Sequence, residues 1–212
     1  MRDFKAYVHA RQAEYTDLLF TLAQIPGWTG GEQARAEFCL QWLKDQGYAD
    51  AHIDSAGSVV CSYGLQTGSN NTAFAGHLDT VFSPSDQYTI RTADGRWYCP
   101  GIGDNSANAV GVMLLAQYCM QEKPQLNQGI WFVLDTGEEG LGNLVGVRTF
   151  MQDHGKQLSS FTALDLYYKD IFTTCVGSIR YKVKATVAGG HSYLNFGRKN
   201  ALAEISSLVT EL

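Results

Sequence analysis

Four stretches place residues able to bind metal or move protons at or beside apolar runs: His77 and Asp79 in "TAFAGHLDTVF", Asp104 in "GIGDNSANAVG", Glu138 and Glu139 in "GIWFVLDTGEEG", and Asp165 in "FTALDLY". Residues two apart in a strand share a face, so His77 and Asp79 can converge on one site. Taken alone, that pair reads equally well as a hydrogen-bonded core histidine and a turn-capping aspartate. The larger set is more telling. Charged groups near a core are costly unless paired or bound to metal, and this many carboxylates at one end of a sheet repel each other unless cations lie between them. One imidazole with four or five carboxylates and no thiolate suits zinc, cobalt or manganese.

Other chemistries find less support. "GIGDNS" has the look of a dinucleotide loop, but it lacks the third glycine and places Asp104 where a pyrophosphate would be repelled. There is no G-x-S-x-G elbow for a serine hydrolase, and the cysteines carry no nucleophile signature.

The elements that must position these residues alternate between helix and strand. Apolar spacing predicts a helix over 3–23, broken by "IPGWTGGE", and a second over 32–46 with Ala34, Phe38, Leu40, Trp42 and Leu43 toward the core. Strands are expected at "SVVCSY", "TAFAGHL", "GIWFVLD" and "FTALDLY", a hairpin at "TIRTADGRWYCPG", and helices over 107–120 and in "LVGVRTFMQDHG". That order implies an α/β fold with a mixed, mostly parallel sheet flanked by helices, a class whose ligands gather beyond the carboxyl ends of the strands. Beyond Thr174 the texture changes to an alternating segment, "IRYKVKATVAG", expected as a strand with one wet face, and an amphipathic helix in "RKNALAEISSLVTEL".

At 212 residues the chain can bury one substantial core and begin a second unit. A formal charge of −5 without a basic stripe argues against nucleic acid as a partner. Five scattered cysteines without a C-x-x-C pair fit reduced thiols and a cytoplasmic setting, and no apolar run is long enough to span a bilayer. His9, His52 and His154 are expected at the surface.

"GHLDTV", "GIGDNSANAVG", "TGEEGLGN", Asp165 and "GGHSYLNFGRKNAL", in this order, resemble the successive signatures of the M20 family of co-catalytic metallopeptidases and deacylases. The resemblance runs from about residue 70 to the end. It implies a co-catalytic zinc peptidase-like domain over residues 1–174, followed by the beginning of an α+β lid or dimerisation domain over 175–212. It also implies two divalent metal ions, with zinc expected. His77 and Asp165 would bind the first ion, Glu139 the second, and Asp104 would bridge both. Asp79 would orient the His77 imidazole, and Glu138 would act as general base. His191 and Asn195 would contact substrate from the lid.

An aspartate at position 165 is associated in this family with aminopeptidase-type members, which points to small peptides as substrates and N-acyl amino acids as the alternative. The "LYYKD" that follows departs from the small residue usual there. Family members are longer, with the lid inserted into the catalytic domain and a late histidine for the second ion. The resemblance stops inside the lid, so the second ion is expected to bind weakly. Two readings follow: a metallohydrolase, homodimeric through its lid, or an inactive fragment serving as a binding or dimerising module.

Overall fold

The computed structural model describes residues 3–166 and 169–211, so Tyr167 and Tyr168 of "LYYKD" lie outside the described residues. The chain divides into two compact units, Met1–Lys169 and Asp170–Leu212.

The first unit contains α1 (Phe4–His9), α2 (Gln12–Ala23), α3 (Gln33–Asp45), β1 (His52–Ile53), β2 (Val59–Tyr63), β3 (Asn71–His77), β4 (Arg91–Ala93), β5 (Arg96–Tyr98), α4 (Ala107–Glu122), β6 (Gly129–Asp135), α5 (Val145–His154) and β7 (Leu158–Ala163). Five strands form one sheet in the order β1-β2-β6-β3-β7. The β6–β3 and β3–β7 pairs are parallel, while β1 and β2 add antiparallel strands on the other side. The α/β class and the mixed sheet therefore agree with the sequence reading.

Every residue of β6 is buried, as a central strand covered on both faces requires. Along it, Ile130, Phe132 and Leu134 join a core with α1 to α4, whereas Trp131 and Val133 join a smaller cluster with Phe150 of α5. Gly76 marks a close approach between β3 and α4: a Cβ there would lie 3.0 Å from the Ala109 nitrogen and 3.1 Å from its Cα. Only a residue without a side chain lets α4 sit this near β3.

Several local expectations change for physical reasons. The single helix expected over 3–23 is two, with Arg11 outside the helical region at φ −124°. The turn lets Tyr7 and Tyr15 both reach α4, where their hydroxyls donate to Gln121 and Gln117. The buried stripe of α3 is Arg35, Ala36, Cys39 and Leu43, while Ala34 is exposed. His154 is half-buried against Trp131, with ring centroids 4.3 Å apart. The expected hairpin forms between β4 and β5, and Asp94 and Gly95 take the positive φ values of a tight two-residue turn.

In the second unit, α6 (Ala201–Glu211) is the one regular element among the described residues. The strand expected over "IRYKVKATVAG" is not formed. A strand exists through its hydrogen-bonded neighbour, and among the described residues none pairs with this segment. Among the described residues, no helix is long and apolar enough to cross a membrane.

The tight contact at Gly76 yields a direct test. Gly76→Ala is expected to destabilise the protein by about 1–3 kcal/mol through overpacking against the α4 backbone, read as a lower urea midpoint. Unchanged or raised stability would show that the helix yields freely.

Candidate metal centre

Parallel pairing places the ends of three strands at one rim. His77, the last residue of β3, is in register with Asp135, the last of β6. At the other side Ala75 pairs with Ala163, and the Leu164 amide donates to the Ala75 carbonyl, which brings Asp165 just beyond the same rim. Asp104 arrives from a kinked turn over Ile102–Ser106 that leads into α4. The turn is not helical at Asp104, with φ −116° and ψ 94°, and the Asp104–Asn105 peptide is cis. Asn105 donates to the Leu164 carbonyl at 2.9 Å, fastening the turn to the segment that carries Asp165.

The resulting cluster is close-knit. His77 Nε2 lies 3.2 Å from Asp104 Oδ1 and 4.0 Å from Asp165 Oδ1. One ligand atom each from His77, Asp104 and Glu139 fall within 4.8 Å of one another. His77 Nδ1 lies 2.9 Å from the Asp79 carbonyl oxygen and 3.4 Å from Asp79 Oδ1. With its proton on Nδ1, the ring presents Nε2 as a donor atom toward the acids.

Asp79 is fully buried yet well bound. Its Oδ1 accepts the Glu138 amide at 3.0 Å, and its Oδ2 accepts the Glu139 amide and the Thr29 hydroxyl, each at 2.9 Å. Burial alone would raise its carboxyl, but His77, the two amides and Thr29 hold it below the usual range.

For His77, burial pulls downward, yet the hydrogen bond and charge of Asp79, with Glu138 and Asp135 behind, raise the imidazole to about 9. Glu138 and Glu139 are both raised, first by burial and then by neighbouring acids, with His77 opposing. Such stress on half-buried carboxylates is what a divalent cation relieves. The donor set of one imidazole nitrogen and carboxylate oxygens fits zinc or manganese.

Two residues with a stake in this cluster escape the sequence reading. Asp135 is 3% exposed, and burial pushes it up to about 7 against the lowering effect of His77. Its signal was present, since it ends the apolar run of β6 two residues before "GEEG". Arg35 is fully buried; its Nε donates to the Ile25 carbonyl at 2.7 Å, and its Nη1 donates to the Leu78 carbonyl at 2.9 Å and Ser106 Oγ at 3.2 Å. It thereby joins the segments that carry His77 and Asp104. Its signal was its place four residues before Cys39 and eight before Leu43 on α3.

A cavity of about 780 Å³ lined by Trp28, Glu32, Ile53 and Thr136 does not include the acid cluster among its walls. His191 and Asn195 belong to the second unit. There, Asn195 Oδ1 accepts the His191 amide at 3.0 Å, and His191 Nδ1 accepts the Tyr193 amide at 3.3 Å, so both hold a local turn.

Comparison with known proteins bears on the family and the fold. Residues 73–195 match the profile of "Peptidase family M20/M25/M40". The [LysW]-lysine hydrolase of Deinococcus radiodurans is 38% identical over 159 residues, covering 72% of this chain and 42% of that protein. Aminopeptidase PepT from Bacillus cereus superimposes with a TM-score of 0.58 at 22% identity, over 73% of this chain and 43% of its own. Human carnosine dipeptidase 1 superimposes with a TM-score of 0.65 at 14% identity, over 99% of this chain and 51% of its own. At these identities the solved structures establish the fold alone. The chain spans less than half the length of the curated relative.

The raised His77 value has a consequence for the metal-free protein. A histidine lifted from 6.5 to about 9 in the fold stabilises it fully below pH 6.5, and that contribution is lost as pH rises through 9. Asp135, lifted from 3.8 to about 7, favours the fold when protonated, so its contribution is lost across the lower window between those values. With chelator present, the thermal midpoint is expected to fall between pH 6.5 and 9, and His77→Gln to flatten that limb. A parent midpoint that stays level over that window would contradict the raised proton affinity of His77.

Proposed function

The chain belongs to peptidase family M20/M25/M40, and from that premise we propose that it is a metal-dependent hydrolase cleaving amide bonds of small peptides, aminopeptidase-like, with Glu138 as general base. The observation that carries the reading is the meeting of His77, Asp104 and Glu139 ligand atoms within 4.8 Å. In this reading His77, Asp104, Glu139 and Asp165 would hold two divalent cations, zinc by preference. When bound, the cations supply an acidified water and stabilise negative charge on the substrate carbonyl oxygen.

The remaining roles fall to the protein. In this reading Glu138 shares the cluster without serving as a ligand, which leaves its carboxylate to move protons. It takes the proton of the attacking water and passes it to the leaving nitrogen. Its raised proton affinity suits that shuttle, since a base must hold the proton it has just taken. Asp79 accepts from His77 and fixes the ring that would face the first cation. His191 and Asn195 would contribute substrate contacts from the second unit, read as the start of a lid that follows the catalytic domain.

The same proposal includes homodimer formation through the second unit, where Ile171, Phe172 and Val176 are largely exposed. Free cysteines at all five positions favour a reducing, cytoplasmic setting. A second reading, hydrolysis of N-acyl amino acids, is favoured by the Deinococcus radiodurans relative, whose name makes it a hydrolase of [LysW]-lysine.

Metal analysis paired with hydrolysis assays on di- and tripeptides and N-acyl amino acids tests the assignment. Glu138→Gln is expected to keep the parent metal content while losing about 10²–10⁴-fold in kcat. Turnover confined to N-acyl amino acids selects the second reading, and a Glu138→Gln protein with undiminished turnover removes Glu138 as the base.

A further inference from the structure

The turn Gly137–Glu138–Glu139 presents three consecutive main-chain N–H groups, and each is taken by a carboxylate from a distant part of the chain. Glu32 Oε1 accepts from Gly137 at 3.1 Å, Asp79 Oδ1 from Glu138 at 3.0 Å, and Asp79 Oδ2 from Glu139 at 2.9 Å. Gly137 sits at φ 65°, where an L side chain is strained. The Gly137 and Glu139 carbonyls accept the Leu144 and Gly142 amides within the loop, and the two carboxylates hold its N–H side from outside.

The 27–32 segment supplies one of them and steadies the other. Thr29 Oγ1 donates to Asp79 Oδ2, the same oxygen that holds Glu139. Glu32 Oε1 also accepts the Gly30 amide at 3.0 Å, closing its own turn. The segment is docked in place by the Thr80 amide on the Gly27 carbonyl at 2.8 Å and by a parallel bridge between Trp28 and Thr80. Thr29 and Glu32 therefore act on the turn through Asp79 and through the Gly137 amide.

We propose that Thr29 and Glu32 are positioning residues of the metal centre, holding the 137–139 turn so that Glu139 faces His77 and Asp104 while Glu138 stays clear for proton transfer. The proposal rests on the roles given to Glu138 and Glu139 above. The mechanism is geometric. The Thr29 hydroxyl on Oδ2 fixes the plane of the Asp79 carboxylate, so that one oxygen meets each of the Glu138 and Glu139 amides. Glu32 fixes the preceding amide, so the turn cannot swivel about Gly137 and exchange the two side chains.

The test uses the full chain as Thr29→Val, which keeps the shape and removes the hydroxyl, and Thr29→Ser, which restores it. In the metal-free protein, amide exchange at Glu138 and Glu139 is expected to quicken about tenfold in Thr29→Val, as loss of one hydrogen bond implies. Thr29→Ser should return it to the parent rate. Glu32→Ala should quicken exchange at Gly137 in the same way.

With Co²⁺ as probe, Thr29→Val is expected to bind about 10–100-fold more weakly, with altered visible band intensities. Thr29→Ser should restore both, and all variants should keep cooperative unfolding. A purely structural role would lower the unfolding midpoint and leave the Co²⁺ spectrum alone. If the parent takes up no Co²⁺, the metal reading fails, and the exchange rates then decide the positioning claim by themselves. Parent-like exchange in Thr29→Val overturns it in either case.

Discussion

The site depends on how one buried carboxylate, Asp79, keeps its charge. Removed from water, an aspartate ordinarily protonates. Asp79 stays ionised because two amides, one hydroxyl and the His77 ring surround it. Those four donors come from three parts of the chain: the 27–32 segment, the end of β3 and the turn after β6. A single anion thus sets the mutual placement of the histidine and both consecutive glutamates. Removing its charge would release all three segments together, since each hydrogen bond is worth more to an ionised acceptor than to a neutral one.

Around that fixed anion the other acids are less comfortable. Burial and mutual repulsion raise Glu138, Glu139 and Asp135, and His77 is the nearby group that relieves them. Arg35, though fully buried behind the cluster, donates through Nε and Nη1 to main-chain carbonyls and a serine hydroxyl, while its buried Nη2 has no hydrogen-bond partner among the described residues. Its part is to tie segments together, while neutralising the acids is left to His77 and to whatever cation the pocket accepts. An architecture that collects several carboxylates around a single histidine is intelligible as a cation site.

Much of this was legible in the sequence, and the legible part has a common cause. Alternation and apolar runs located β2, β3 and β6, and acids at or just beyond strand ends pointed to the rim where His77, Asp104, Glu139 and Asp165 lie. These are local patterns. What stayed hidden depends on pairing: the antiparallel direction of β2, the register that sets Asp135 beside His77, and the break at Arg11 that follows from both tyrosines meeting α4. Arg35 was hidden for a related reason. A charged residue on an apolar stripe ordinarily marks the stripe's edge, and the acceptors that meet Arg35, the carbonyls of Ile25 and Leu78 and the Ser106 hydroxyl, are delivered by other segments.

The framework does not hold all parts of the cluster equally. His77 and Asp104 are fixed by buried elements. The first ends a central strand, the second precedes a helix pressed onto that strand at Gly76, and Arg35 spans the two. Asp165 follows an edge strand and stands 4.0 Å from His77 Nε2 where Asp104 stands at 3.2 Å, although the two aspartate side chains are equally exposed. Glu139 lies between these extremes, on a turn whose amides are held from outside. A donor set graded in this way has a rigid pair at its centre and more adjustable members around it. Such a gradation suits a hydrolytic site, because the oxygens nearest the rigid pair can stay fixed while the outer carboxylates adapt to charge that develops and disperses during reaction.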